Sequence, residues 1–197
     1  MSAVEIKSVC VYCASSRAAD PRFAEAATRL GGLLAERGVT LVYGGGAVGS
    51  MGAVADGALA AGGRVVGVLP EFMDEVEWGH TGLTELILVD DMHQRKRRML
   101  EGVDATIALP GGVGTLEELL EAITWKRLGL FHKPIVIVNV LGYFDPLIET
   151  LNRTVDEKFM GERHRDMWRV VDSVDGVFDA IADSPEWGPD ARGFALQ

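Results

Sequence analysis

Cysteine and histidine are scarce in this chain, and long apolar runs are missing. Its two cysteines, Cys10 and Cys13, stand three apart in the strand-like run SVCVYCAS, where an odd offset sends side chains to opposite faces. That spacing argues against a shared redox or metal function and for ordinary buried thiols. His80, His93, His132 and His164 are isolated, with no H-x-H, H-x-x-x-H or cysteine-paired spacing, so neither a metal nor a cofactor is implied. No apolar stretch approaches the roughly 18 to 20 residues that span a bilayer. The opening residues MSAVEIKSVC lack the apolar core and small-residue cleavage site of a signal peptide, so the expectation is a cytoplasmic protein with no membrane partner.

A basic surplus is missing too. Lys and Arg number 19 against 29 Asp and Glu, a net charge of −10, which repels a polyphosphate backbone and argues against a nucleic-acid partner. What is present is ordinary globular material, 48% hydrophobic and 24% charged over 197 residues, enough for one sizeable core. The expected organisation is a single catalytic domain over residues 1–183 followed by a tail, 184–197, whose prolines and glycines suit an appendage that frays or docks.

Short β-branched runs alternate with helical patterns along the whole domain. SVCVYC, VTLVYG, RVVGVLP, TELILVD, ATIALP, KPIVIVNV and WRVVDS read as strands, several continuously apolar, as strands covered on both faces are. Helices are expected over about Pro21–Arg37, Met51–Ala61, Met92–Glu101, Thr115–Leu128, Pro146–Phe159 and Val174–Ala182, the first opened by Asp20 as cap with Pro21 behind it. The predicted fold is α/β: a Rossmann-like, doubly wound, mainly parallel sheet of about seven strands with helices on both faces.

Two glycine-rich turns join strands to helices, so both fall at the carboxyl edge of the sheet, where open α/β folds bind ligands. In YGGGAVGSMG, Gly44, Gly46 and Gly49 formally match the dinucleotide fingerprint, and Gly45 and Gly46 are candidate ligand contacts. The next strand, RVVGVLP, lacks the terminal acid that would hold an NAD ribose. In LPGGVGTLEE, Gly111, Gly112 and Gly114 let backbone N–H groups approach an anion, and the helix beginning at Thr115 aims its positive end at the same place. No Lys-Ser/Thr pair completes a Walker A loop. Thr115 and Glu118 also fit a capping box, which would make Glu118 only a cap.

The run MHQRKRRM contains four consecutive basic residues, usually a solvated face. In a helix, however, Arg95 shares a side with Met92 and Met99, which turns it inward while Arg97 points elsewhere.

MHQRKRRM, then PGGVGTLEE about fifteen residues on, with VYGGGAVGSMG and EVEWGHTGLTEL, together resemble the LOG ("lonely guy") family of cytokinin riboside 5′-monophosphate phosphoribohydrolases from about Val9 to Met160. Members long carried the label lysine decarboxylase, but nothing here suggests a pyridoxal phosphate lysine. The resemblance implies hydrolysis of the N-glycosidic bond of AMP and N6-modified AMP, such as isopentenyl-AMP, to free base and ribose 5-phosphate, and a homodimer whose active site is completed across the interface. By motif matching it implies Arg95 and Glu118 as the catalytic pair, and Glu77, Lys96, Gly111, Gly112, Val113, Gly114, Thr115, Leu116, Glu117 and Thr124 as substrate contacts.

That chemistry suits those residue types. Cleaving a ribosyl C–N bond passes through an oxocarbenium-like state, which an adjacent carboxylate stabilises. A glutamate in the first turn of a helix is expected to stay ionised, acting as charge stabiliser or water-orienting base. Arg95 does not give up a proton, so phosphate binding or polarisation of the leaving base are its two expected roles. The base could be protonated by solvent or by Glu77. Glu117 and Glu118 lie 100° apart on a helix, so only one can face a crevice. The alternative from another class is a non-catalytic nucleotide or molybdenum-cofactor carrier of similar fold.

Overall fold

The computed structural model describes residues 5–74, 79–188, 193 and 195. Its strands are β1 (Ser8–Tyr12), β2 (Thr40–Tyr43), β3 (Val65–Pro70), β4 (Glu85–Val89), β5 (Ala105–Ala108), β6 (Ile135–Val138) and β7 (Arg169–Val171). They form one sheet in the order β4-β3-β2-β1-β5-β6-β7, with every neighbouring pair parallel. The helices are α1 (Pro21–Glu36), α2 (Gly49–Ala60), α3 (Glu71–Asp74), α4 (Met92–Leu100), α5 (Val113–Arg127), α6 (Asp145–Asp156) and α7 (Val177–Ala182). All seven expected strands are present, and the sheet is wholly parallel where "mainly parallel" was expected.

Period-two alternation on buried strands builds two cores. Val9 and Val11 pack with Leu30 and Leu34 of α1, Val54 of α2 and Val177 of α7 on one face. Cys10 and Tyr12 pack with Met99 of α4, Leu119 of α5 and Leu151 of α6 on the other. Cys10 and Cys13 fall in different cores, as their odd offset demands, and both thiols are free. The edge strand β4 leaves Leu86 and Leu88 exposed.

Helix ends follow local chemistry. Asp20 caps α1 by accepting the Arg22 N–H, with Pro21 behind it, and Asp91 caps α4 by accepting the N–H groups of His93 and Gln94. The short α3 and a 3-10 turn at Val174–Gly176 ahead of α7 depart from the expected boundaries. So does α5, which begins at Val113 instead of Thr115, with Gly112 as a cap that offers no side chain. Thr115 is buried against Gly111 inside the first turn, and the cap position is Gly112, so the alternative reading of Thr115 and Glu118 as a capping box does not describe this helix start. The tail docks at least as far as Trp187, which is buried and donates its indole N–H to the Lys126 carbonyl. Among the described residues no helix is long and apolar enough to cross a membrane.

Candidate active site

The strand order turns around at β1, between β2 and β5. There the following loops diverge, which leaves a crevice at the carboxyl edge. A cavity of about 770 Å³ occupies it. Its walls are the loop after β1, from Cys13 to Arg17, the turn Gly44 to Val48 after β2, and the start of α5 after β5. Leu69, Met51, Met73 and Met92 make one side apolar.

The glycines of the two turns have different duties. A Cβ on Gly44 would collide with Arg95 Nη2, so this position must be glycine for the guanidinium to reach the Gly44 carbonyl. Gly45, at φ +77°, packs against Leu69 and Leu86 and is not among the lining residues, whereas Gly46 is. Gly112 and Gly114 both line the cavity, and a Cβ on either would meet no further atom of the described residues within 4 Å. Neither has the positive φ that demands glycine. Packing and backbone conformation therefore leave these two glycines unexplained, while a ligand seated on the N–H groups that open α5 explains both. Tyr143, on the turn after β6, donates its hydroxyl to the Gly111 carbonyl at 2.5 Å. Because a trans peptide directs its C=O and N–H oppositely, this bond sets the direction of the Gly112 N–H.

Across the cavity α4 brings Arg95 to α5. Arg95 is 5% exposed and Glu118 4% exposed, and Arg95 Nη1 lies 3.3 Å from Glu118 Oε1. Arg95 Nε donates to the Val68 carbonyl at 3.1 Å and Nη2 to the Gly44 carbonyl at 3.1 Å. Of five guanidinium N–H groups, three are thus engaged, and two have no partner among the described residues. The expectation that Arg95 turns inward with Met99 while Arg97 stays outside holds.

Glu118 departs from its expected electrostatics. Since α5 starts at Val113, Glu118 sits in the second turn, beyond the reach of the helix terminus. Burial pushes its pKa up to about 7, the nearby Arg95 opposing the rise without cancelling it. It is poised near neutrality instead of being held firmly ionised. Glu117 also lines the cavity, so both glutamates border the crevice where only one was expected, and it pairs with Lys96, whose ammonium also lies 3.1 Å from Glu121 Oε1. Burial works against the Lys96 charge, but those two carboxylates outweigh it and raise its pKa.

The other expected contacts divide. Thr115 and Glu117 line the cavity beside Gly112 and Gly114; Lys96, Gly111, Val113, Leu116 and Thr124 are not among its lining residues. Thr124 is exposed on α5, its hydroxyl donating to the Leu120 carbonyl at 2.8 Å. Glu77 lies outside the described residues. Sequence reasoning overlooked the loop Ser15, Ser16 and Arg17, and the apolar Met51 and Met73. The available signal was S-S-R directly after the first strand, legible only once β1 is known to stand at the switch point.

A cavity opening at the switch point of a doubly wound parallel sheet marks this chain as a Rossmann-type protein. Residues 51–181 match the family described as "Possible lysine decarboxylase". The chain is 42% identical over 184 residues, 93% of its length and 83% of the relative's, to a cytokinin riboside 5′-monophosphate phosphoribohydrolase of Arabidopsis thaliana. It is 44% identical over 176 residues, 89% of each chain, to the enzyme of that name from Rhodococcoides fascians. Among solved structures, the molybdenum cofactor binding protein of Rippkaea orientalis superposes with a TM-score of 0.68 at 22% identity, covering 89% of this chain and 95% of that one, a likeness of fold alone. The chain belongs to the LOG family of cytokinin riboside 5′-monophosphate phosphoribohydrolases.

Proposed function

We infer that this protein is an N-glycosidase that hydrolyses AMP and N6-modified adenosine 5′-monophosphates such as isopentenyl-AMP, releasing free base and ribose 5-phosphate. The observation that carries this reading is the buried Arg95–Glu118 pair in the wall of a cavity that also holds the Gly112–Gly114 cradle. The names of its relatives supply the substrate class.

In this reading the 5′-phosphate rests on the N–H groups that open α5. Glu118 follows four residues after Gly114, about 6 Å along the helix axis, so a single ligand meets both. Leu69, Met51, Met73 and Met92 receive the base, and unbranched methionines adapt to an apolar N6 substituent. Ionised Glu118 takes a proton from water as the water oxygen bonds to C1′ and the C1′–N bond breaks, its electron pair leaving with the base; the departing base takes up a proton from solvent, and Glu118 returns to solvent the proton it accepted. The same carboxylate stabilises the positive charge that develops on the ribose. Arg95 positions Glu118 and keeps its ionised form accessible despite burial. Water is the only co-reactant.

The expected partner is a second copy of the chain. Val113, Leu120, Thr124 and Leu128 share one exposed side of α5, and in a homodimer Thr124 would serve the site across the interface. The protein is proposed to act in the cytoplasm. A carrier role rests on likeness of fold alone, and a carrier has no use for a carboxylate beside the ribose. Incubating purified protein with AMP and with isopentenyl-AMP and separating the products tests the reading. Free base and ribose 5-phosphate support it; absence of both at micromolar enzyme overturns it.

A further inference from the structure

Among the described residues, Arg17 is the cation that lines the cavity besides Arg95, and the two differ in what they already hold. Arg95 is buried and tied to Glu118 and to two backbone carbonyls. Lys96, just outside the lining, is held by Glu117 and Glu121. Arg17 is exposed, and among the described residues no carboxylate lies within 4 Å of it. In a chain with ten surplus negative charges, a cation left unpaired at a ligand cavity calls for an anion.

The loop that carries Arg17 is built to hold a fixed place. The Met51 N–H donates to the Ala14 carbonyl at 3.0 Å. Gly49, at φ +63°, approaches the loop so closely that a Cβ would sit 2.6 Å from the Ser16 carbonyl oxygen. The Ser16 hydroxyl accepts the Ala18 N–H at 3.2 Å. Ser15, Ser16 and Arg17 then share a cavity with Gly112, Gly114 and Thr115.

Charge balance points the same way. Among the described residues the cavity's carboxylates are each matched, Glu118 by Arg95 and Glu117 by Lys96. A phosphate monoester brings a further charge of about −1.5 to −2, of which a helix terminus offsets roughly half a unit. We propose that Arg17 supplies the rest: it is a specificity-determining residue that binds the substrate's 5′-phosphate opposite the glycine cradle, and so selects nucleoside monophosphates over nucleosides. This deepens the function proposed above and rests on it for the identity of the ligand.

Binding decides it without turnover. Affinities of ribose 5-phosphate and adenosine, and of AMP in a Glu118→Gln background that does not turn it over, are measured by calorimetry with Arg17 intact, as Arg17→Ala and as Arg17→Lys, at low and moderate salt. The expected result is at least a tenfold loss for AMP and ribose 5-phosphate in Arg17→Ala, adenosine within twofold of wild type, and an intermediate value for Arg17→Lys. Retention of AMP affinity by Arg17→Ala, or an equal loss for AMP and adenosine, overturns the proposal. Because no product is scored, a wild type that binds AMP without cleaving it sinks the hydrolase reading and still decides whether Arg17 holds the phosphate.

Discussion

Arg95 reaches from α4 to place Nη1 3.3 Å from Oε1 of Glu118 on α5, with both side chains almost sealed from solvent. Glu118 sits between opposing influences. Burial raises its pKa, Arg95 lowers it, and the balance near 7 leaves a carboxyl group able to change charge under working conditions.

That balance predicts a pH profile. If ionised Glu118 is the base, kcat/KM for AMP rises with pH along a limb centred near 7, above the pKa of about 6 of the substrate's own phosphate. Initial rates between pH 5 and 9 check this. An activity that falls as pH rises through 7 would instead make the protonated carboxyl the working form.

The same shift carries a stability signature. A carboxyl whose folded pKa lies above its unfolded value binds a proton more tightly in the folded state, so stability declines as pH rises from the unfolded pKa through the folded one. For Glu118 that window runs from the ordinary glutamate value of 4.5 to about 7, worth on the order of 3 kcal/mol. Denaturant titrations at pH 4.5 and 8 should therefore show Glu118→Gln gaining on the wild type by about that amount as pH rises. A pH-independent difference between the two would mean that Glu118 is not shifted.

Gly114 separates ligand binding from folding. A Cβ there meets no further atom of the described residues within 4 Å, and alanine favours a helix over glycine by up to about 1 kcal/mol. Gly114→Ala should keep or raise the Tm while weakening AMP binding at least tenfold. Unchanged affinity would remove the glycine cradle from the phosphate site.

Tyr143 acts on that cradle at one remove. Its hydroxyl bond to Gly111 is worth about 1 kcal/mol, so Tyr143→Phe should raise KM for AMP roughly fivefold with kcat little changed. Equal changes in kcat and KM, or none, would make the contact merely structural.

Much of this was legible in the sequence because it depends on local pattern. Continuous apolar runs marked the buried strands, Asp20 with Pro21 marked the start of α1, and the Met92, Arg95 and Met99 spacing turned Arg95 inward. The start of α5 was misread because Thr115 looks like a cap in one dimension. In three it is packed under Gly111 and the helix opens two residues earlier, at Val113, which puts Glu118 in the second turn, where burial governs its charge. Strand order is a long-range property, so nothing local revealed that the loop after β1 would face the start of α5. Arg17 went unread for that reason. Thr124 and the exposed side of α5 concern surfaces that a single chain leaves uncovered.

Whether Glu118 breaks the glycosidic bond or is only a helix residue beside a ligand is settled by one comparison. Wild type and Glu118→Gln are incubated with isopentenyl-AMP, following free base and ribose 5-phosphate while nucleotide affinity is measured in parallel. A catalytic Glu118 gives both products from the wild type, a 10²- to 10⁴-fold lower kcat in Glu118→Gln, and affinity within a few-fold of wild type. Turnover by Glu118→Gln at near wild-type rate, or adenosine-type nucleoside and inorganic phosphate as the wild-type products, would contradict that role.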